Sequence, residues 1–341
     1  MSTISRQTIA GSLEFLNEGG EGAVYLIASK PSLVFKEYLP EVLPTIDMQM
    51  LQRLVGIESA LPTSDWERIR KRSAWPTDLV ADSGRTIGFT MSKLDPRFYR
   101  KYGLKQKPSL TLCEWNHIVH QNQPLGKLRM SEVPRLNEND ILKLLHDLAI
   151  TIETIHRSDL IIGDLSGRNL IWSIDNGHEV HFIDCDSFRF ASNSPNAVAK
   201  QTVDYIDPTV GNEPTNQQTD VYKFGIAAFR ALSGEPSKYP ADVGVRRELL
   251  ARSDNDSIAH LVERSTSNNQ SSRPSISEWV AALDERVTGR KKIRIRDTAA
   301  VSKPPVPTSP NERPKISLNR KENSAPPDDS SRPSVKLPTT P

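Results

Sequence analysis

Asp175-Asn176-Gly177 lies between two apolar runs, Leu170 to Ile174 and Val180 to Ile183, and restricts this chain more than any composition figure does. Asn and Gly reach positive φ cheaply, as tight hairpin turns require, so the two runs are expected to pair antiparallel about that turn. The start of the first strand then lies beside the end of the second, which makes neighbours of Asn169 and Asp184. Asp164 sits five residues before Asn169 in "GDLSGRN", on the loop that feeds the hairpin. One Asp and one Asn alone can be turn formers and nothing more. With Asp184 added, two carboxylates and an amide oxygen converge, a hard oxygen set suited to magnesium.

The rest of the chain sets bounds on what such a site belongs to. Its 341 residues, 36% hydrophobic and 25% charged, suffice for one large or two small domains with a core. Cys113 and Cys185 are the only cysteines, so no disulfide framework is implied and a reducing compartment is expected. No apolar run approaches the roughly 18 to 20 residues of a membrane span, and the N-terminus is polar, so the expected location is the cytoplasm, with no membrane partner. Residues 288 to 341 hold 12 Lys and Arg against 5 Asp and Glu, and ten of the 25 prolines. The net charge of +2 is therefore a basic tail of +7 on a body of −5. Charge gives the body no support as a nucleic-acid binder, and the tail is expected to be disordered for want of apolar residues to bury.

Near the N-terminus, "SLEFLNEGGEGAVYLIASKPSLVFKEYL" reads as three strands, Ser12 to Leu16, Ala23 to Ile27 and Leu33 to Tyr38. Between the first two, Gly19, Gly20 and Gly22 free the backbone to approach a ligand. Lys36 stands in an apolar strand, where an ammonium needs an anionic partner. A phosphate under the glycine turn would provide one.

These residues, in this order, resemble the protein kinase superfamily. "NEGGEGAVY" is similar to the glycine loop G-x-G-x-x-G-x-V, with Asn17 in the first glycine position and Val24 as its valine, and Lys36 matches the lysine of V-A-I-K. "GDLSGRN" matches the catalytic loop D-x-x-x-x-N, and "DCD" falls where D-F-G belongs. The resemblance implies Asp164 as catalytic base, Lys36 as the phosphate-contacting lysine, Asn169 and Asp184 as ligands of Mg2+ (or Mn2+), and ATP as cofactor. "TDVYKFG" with Asp220 and Gly225, and "SRPSISEW" with Arg273, match two later landmarks. The implied fold is α+β and bilobal, with a β-rich small lobe over 1–92, a mainly helical large lobe over 93–287 and the disordered tail over 288–341. Between the landmarks, a helix is expected around Met48 to Ile57 and two strands up to a hinge at Ser92 to Leu94. A helix capped by Asn137 or Asn139 follows, with Ile141, Leu144, Leu145, Leu148, Ile152 and Ile155 on one face.

Departures from the pattern carry expectations of their own. Ile162-Gly163 replaces His-Arg before Asp164, so phosphorylation between Ser187 and Thr219 would find no arginine there, and alanine at Thr202 should change turnover little. Ser166 takes the place of the loop lysine, with Arg168 as the candidate replacement cation. Pro208-Thr209 stands where A-P-E is expected, which leaves Arg273 without its glutamate. Of the acids near the Met48–Ile57 helix, Glu58 is the one assigned to Lys36, with Asp186 a second acid available to the metal shell. Cys113, His117 and His120 have zinc-like spacing, against the plainer reading of an amphipathic helix. The signature I-D-C-D-S-F is similar to that of a divergent bacterial branch of serine/threonine kinases. Three activities fit: a protein kinase acting on Ser/Thr of a protein substrate, a nucleotide-binding scaffold, or a small-molecule phosphotransferase. The tail's serines and threonines, from Thr308 to Thr340, are expected sites of autophosphorylation.

Overall fold

A computed structural model describes residues 3–103, 108–124, 132–193, 201–211, 213–235 and 256–289. The tail from 290 on, with its expected disorder and acceptor residues, lies outside the described residues.

Short runs rich in β-branched and aromatic residues build a six-stranded sheet from β1 (Thr3–Ser5), β2 (Leu13–Glu18), β3 (Gly22–Ile27), β4 (Leu33–Tyr38), β5 (Pro76–Asp82) and β6 (Arg85–Ser92). Its order is β1-β5-β6-β4-β3-β2, with β1 parallel to β5 and the other pairs antiparallel. Three strands start or end within about two residues of expectation, whereas β1 and the short α1 (Arg6–Ala10) have no sequence period long enough to announce them. On β4 the pleat sends Phe35 to one face, where it packs with Ile9, Ile27 and Val80. Tyr38 goes to the other face, against Leu51, Val55, Leu79 and Phe89. Lys36 shares that second side by its period of two.

The expected helix after β4 is α2 (Met48–Val55), started by Asp47, whose side chain accepts from the Met50 N–H at 2.9 Å, and ended at Gly56. A 3₁₀ turn over Ile57–Ala60 follows, and then α3 (Thr63–Lys71), which the sequence reading lacks. After the sheet a small hairpin, β7 (Tyr99–Tyr102) with β8 (Ser109–Leu112), leads to α4 (Trp115–His120).

The helical part centres on α5 (Glu138–Arg157), opened by a capping box between Asn137 and Asp140. All six residues expected on its buried face are buried, Leu144, Leu145, Leu148, Ile152 and Ile155 at 0% exposure. Each such side chain contributes about 2 kcal/mol of transfer free energy, so this face anchors the core. Behind α5, a two-residue strand β9 (Leu160–Ile161) precedes the hairpin of β10 (Leu170–Ser173) and β11 (Glu179–Phe182), whose register pairs Leu170 with Phe182 and Ser173 with Glu179. β12 (Arg189–Phe190) pairs back onto β9. The helices α6 (Gln217–Ser233), α7 (Asp256–Ser265) and α8 (Ile276–Thr288) complete this part. Gly289, at φ 68°, caps the last of them, so the first two positions of the expected tail still belong to the helix end.

Candidate active site

The hairpin brings Asn169 and Asp184 together, with the Ile183 N–H donating to the Asn169 carbonyl at 3.0 Å. Asp184 follows β11 in a left-handed conformation, φ 56°, which Asp tolerates better than most residues. Its side chain keeps 52% of its exposure toward the cleft. The cleft walls nonetheless desolvate the carboxyl and raise its pKa, Lys36 opposing and Asp186 reinforcing the rise. Cys185 is buried, which pushes its thiol up, and the aromatic anchor of this segment is Phe188, edge-on to Trp75 and Phe182.

Lys36 is 5% exposed and satisfied by acids from this same segment. Its Nζ donates to both carboxylate oxygens of Asp186 at 3.0 Å and to Asp184 Oδ1 at 3.3 Å, with Glu21 at 4.0 Å. Burial lowers the ammonium's pKa, but Asp186 and Asp184 more than offset this and it ends above an ordinary lysine. Tyr38, two residues on along β4, donates to Asp186 Oδ2 at 2.8 Å. The assignment of Glu58 is corrected: that residue is exposed on the 3₁₀ turn, and α2 itself contains no Asp or Glu.

Asp164 accepts at both oxygens. Asn169 Nδ2 donates to Asp164 Oδ2 at 3.1 Å and to its carbonyl at 2.8 Å, which turns the amide oxygen of Asn169 away from Asp164. The Thr202 N–H and hydroxyl both donate to Asp164 Oδ1, at 2.9 and 3.0 Å. Thr202 therefore touches the carboxylate directly, and the expectation that alanine there is nearly silent is withdrawn. Upstream, Asp220 of α6 accepts from the Ile162 and Gly163 N–H groups at 2.9 and 3.0 Å and lies 3.0 Å from His156 Nε2. Gly163, at φ 74°, is in the left-handed region, where an arginine would be strained. Lys223, fully buried on α6, donates to the Gly163 carbonyl. Burial lowers its pKa, and Asp164 and Asp220 oppose the shift. The cation coupled to Asp164 is thus Lys223, whereas Arg168 is exposed and acts on Glu114.

The residues expected to hold nucleotide and metal or to serve as base all line one cleft of about 960 Å³, namely Gly19, Gly20, Gly22, Val24, Lys36, Asp164, Asn169 and Asp184, whereas Glu58 and Arg168 lie outside it. The glycines differ in kind. Space around Gly20 is open, but a Cβ on Gly22 would meet the Glu37 carbonyl at 2.4 Å, so that glycine serves the β3–β4 approach. Val24, Val34, Met91 and Ile183 supply an apolar part of the wall. Away from the cleft, Arg273 is paired after all: it forks onto Asp207 at 2.6 and 3.0 Å, both side chains at 0% exposure, so an acid just before Pro208 replaces the one expected after it. Among the described residues no cluster of three or more His, Cys, Asp or Glu is disposed to hold a metal, and Cys113, His117 and His120 do not form one.

Asp186 and Tyr38 as partners of Lys36, Thr202, Lys223 and Asp207 are the residues that spacing alone missed. A signal existed for two of them: Lys223 is a lysine amid the apolar run "VYKFGIAAF", and Asp207 precedes a proline in "YIDPT".

The β-rich sheet, the helical part and the cleft lined by both make this an α+β, bilobal, protein-kinase-like fold. No family model matches the chain. It is 26% identical over 183 residues to the serine/threonine/tyrosine-protein kinase HT1 of Arabidopsis thaliana, covering 49% of this chain and 46% of that protein. It is also 26% identical over 229 residues to the dual specificity protein kinase shkD of Dictyostelium discoideum, covering 53% of this chain and 31% of that protein. The chain thus spans less than half the length of either relative, and the likeness supports a distant relationship to protein kinases.

Proposed function

We propose that this protein is a protein kinase that transfers the γ-phosphate of ATP, with Mg2+ or Mn2+, to Ser or Thr hydroxyls of a protein substrate. The observation that carries the reading is the meeting of Lys36, Asp164, Asn169 and Asp184 at one cleft with a glycine turn over it. A carboxylate half open to the cleft and an amide oxygen turned away from Asp164 fit a hard divalent cation. Asp184 and Asn169 would hold that cation, and oxygens of the nucleotide's phosphates would supply the further ligands that two protein groups cannot. When bound, the metal neutralises charge that develops on the phosphates during transfer.

The chain's own residues do the rest. The backbone at Gly19 and Gly20 covers the phosphates, and Lys36 presents its ammonium to them. Asp164, held by Asn169 and Thr202, orients the substrate hydroxyl and accepts its proton as the new O–P bond forms and the bond to the β–γ bridging oxygen breaks, releasing ADP. Val24, Val34, Met91 and Ile183 form an apolar slot for the base. The names of both relatives include activity beyond Ser/Thr, so acceptor type is read directly: purified protein with labelled ATP and magnesium or manganese should become labelled on Ser or Thr by phosphoamino-acid analysis. Binding without transfer to itself or to any protein added would support a scaffold instead. The covalently attached tail, with Ser and Thr between 308 and 340, is the nearest substrate by effective concentration, on the order of millimolar for a tethered segment.

A further inference from the structure

We propose that Asp186 is the positioning residue for Lys36, held by Tyr38 and taking the part that an acid on α2 would otherwise play; the proposal rests on the kinase reading. Three independent observations lead to it. First, α2 reads Met-Gln-Met-Leu-Gln-Arg-Leu-Val and contains no acid; the residue it presents to the cleft is Met50. Its flanking acids are committed or remote, since Asp47 caps the helix and Glu58 is exposed. Second, Asp186 is the buried acid of the pair around Lys36, 5% exposed against 52% for Asp184, and it grips the ammonium with both oxygens at 3.0 Å. Third, Tyr38 donates to one of those oxygens from the same strand and the same face as Lys36, and the Lys36 ammonium lies 5.8 and 5.7 Å from the Tyr38 and Phe89 ring centroids. Strand and segment therefore clamp each other without the helix.

The consequence is a division of labour between two acids two positions apart. Asp184 is open to the cleft, where it can take a metal while meeting Lys36 through Oδ1 at 3.3 Å, and Asp186 is enclosed and fixes where the lysine points. A mobile helix then cannot switch Lys36 on or off by carrying its acid in or out, because the acid travels with the segment after β11. That segment is tied to α2 by other means: the Arg53 guanidinium stacks 3.8 Å over the Phe190 ring.

The test is a double-mutant cycle in the full chain, read as single-turnover transfer from labelled ATP across a magnesium titration. Lys36→Met and Asp186→Asn alone should each lower transfer by about 10²-fold, and the double variant should be no slower than Lys36→Met, because Asp186 acts through the lysine. The magnesium concentration for half-maximal transfer should stay within about twofold of wild type in Asp186→Asn. Tyr38→Phe, which keeps the acid and loses one hydrogen bond, should cost about 3- to 10-fold, and covers the case of Asp186→Asn failing to fold. Multiplying losses in the double variant, full turnover in Asp186→Asn, or recovery of that variant at tenfold higher magnesium would each overturn the assignment, the last by making Asp186 a metal ligand. If Asp186→Asn does not fold, wild-type transfer in Tyr38→Phe overturns it. A wild-type chain that neither binds ATP nor transfers phosphate would overturn the kinase reading and this assignment together.

Discussion

Asp164 and Asp184 are chemically the same group, but the first accepts three hydrogen bonds from Asn169 and Thr202 and the second stands half open beside Lys36. Their variants should fail differently. Asp164→Asn keeps size and shape and cannot take a proton, so transfer should fall about 10²- to 10⁴-fold with ATP affinity nearly kept. Asp184→Ala removes a charge from the open side of the site, so calorimetry should show weakened ATP binding in magnesium and little change in its absence. Equal losses of metal-dependent affinity in both variants would sink that separation. Thr202 supplies two of the three donors to Asp164, one from its hydroxyl. Thr202→Ala should reduce turnover about tenfold and leave the ATP concentration at half-saturation alone, whereas Thr202→Ser should restore it; an alanine variant at the wild-type rate would show the hydroxyl to be idle. Spacing could place Asp164, Asn169 and Asp184 because a hairpin register fixes them, but it could not place Thr202, which reaches Asp164 across 38 positions of chain.

Elements with a strong period or a turn signal were legible in the sequence, and elements held by polar contacts were not. The face of α5 follows the 3.6-residue period of a buried helix, and β10–β11 follows from its turn. α3 was missed because its surface looks solvated: Arg68 and Asp65 would read as exposed charges, yet Arg68 bonds to Asp147 and Asp65 to Arg157. Asp207 has no sequence signal for its pairing because its partner Arg273 is 66 residues away. That pair ties the segment before α6 to the turn before α8, and Arg273 also donates to Thr209, Gln218 and Ser267. Asp207→Ala strands a buried guanidinium and should cost about 3 to 5 kcal/mol in urea unfolding; a loss below 1 kcal/mol would mean that Arg273 finds another partner. α4 holds a pH-dependent contribution. His117 stacks on Tyr102 with ring centroids 4.2 Å apart, and burial, then His120, pushes its pKa down to about 4. His181, against Phe98, is pushed down to about 3 by burial and by Arg72. Neutral histidines are favoured in the folded state, so stability is fully present above about pH 6.5 and declines as pH falls toward 4, by at most about 1.4 kcal/mol per pH unit for each. His117→Phe should flatten part of that slope in melts at pH 7, 6 and 5, and an unchanged slope would show that His117 titrates normally.

At the scale of the molecule, the described residues belong to one compact unit, and one polar network crosses several of its elements. Asp147, on the middle of α5, accepts from Arg68 and Arg72 of the α3 region and from the Val180 N–H of β11 at 2.9 Å. Arg72 continues to Glu179, which also takes Arg97 from the connection after β6. Trp75, edge-on to Trp66 of α3 and to Phe188, donates to the Leu54 carbonyl at the end of α2 at 2.9 Å. The segment between α2 and β5 is therefore fastened to α5 and to the hairpin that carries Asn169 and Asp184 by charges as well as by apolar packing, with Trp66, Ile69 and Trp75 in the same buried cluster as Leu144, Leu148 and Phe182. Exposed ion pairs contribute little, but here the shared carboxylate is about 10% exposed, and removing it takes a charged acceptor from Arg68 and Arg72 at once and the side-chain acceptor from the Val180 N–H. Asp147→Ala should cost about 3 to 5 kcal/mol, lowering the melting temperature on the order of 5 to 15 °C for a unit this size. Asp147→Asn, which still accepts at one oxygen, should cost less. Because the ion pairs of this network join no residue that lines the cleft, the folded fraction of Asp147→Ala at low temperature should bind ATP within about threefold of wild type. A stable Asp147→Ala chain with lost nucleotide affinity would reverse this account, and would make the network part of the site instead of the frame that holds it.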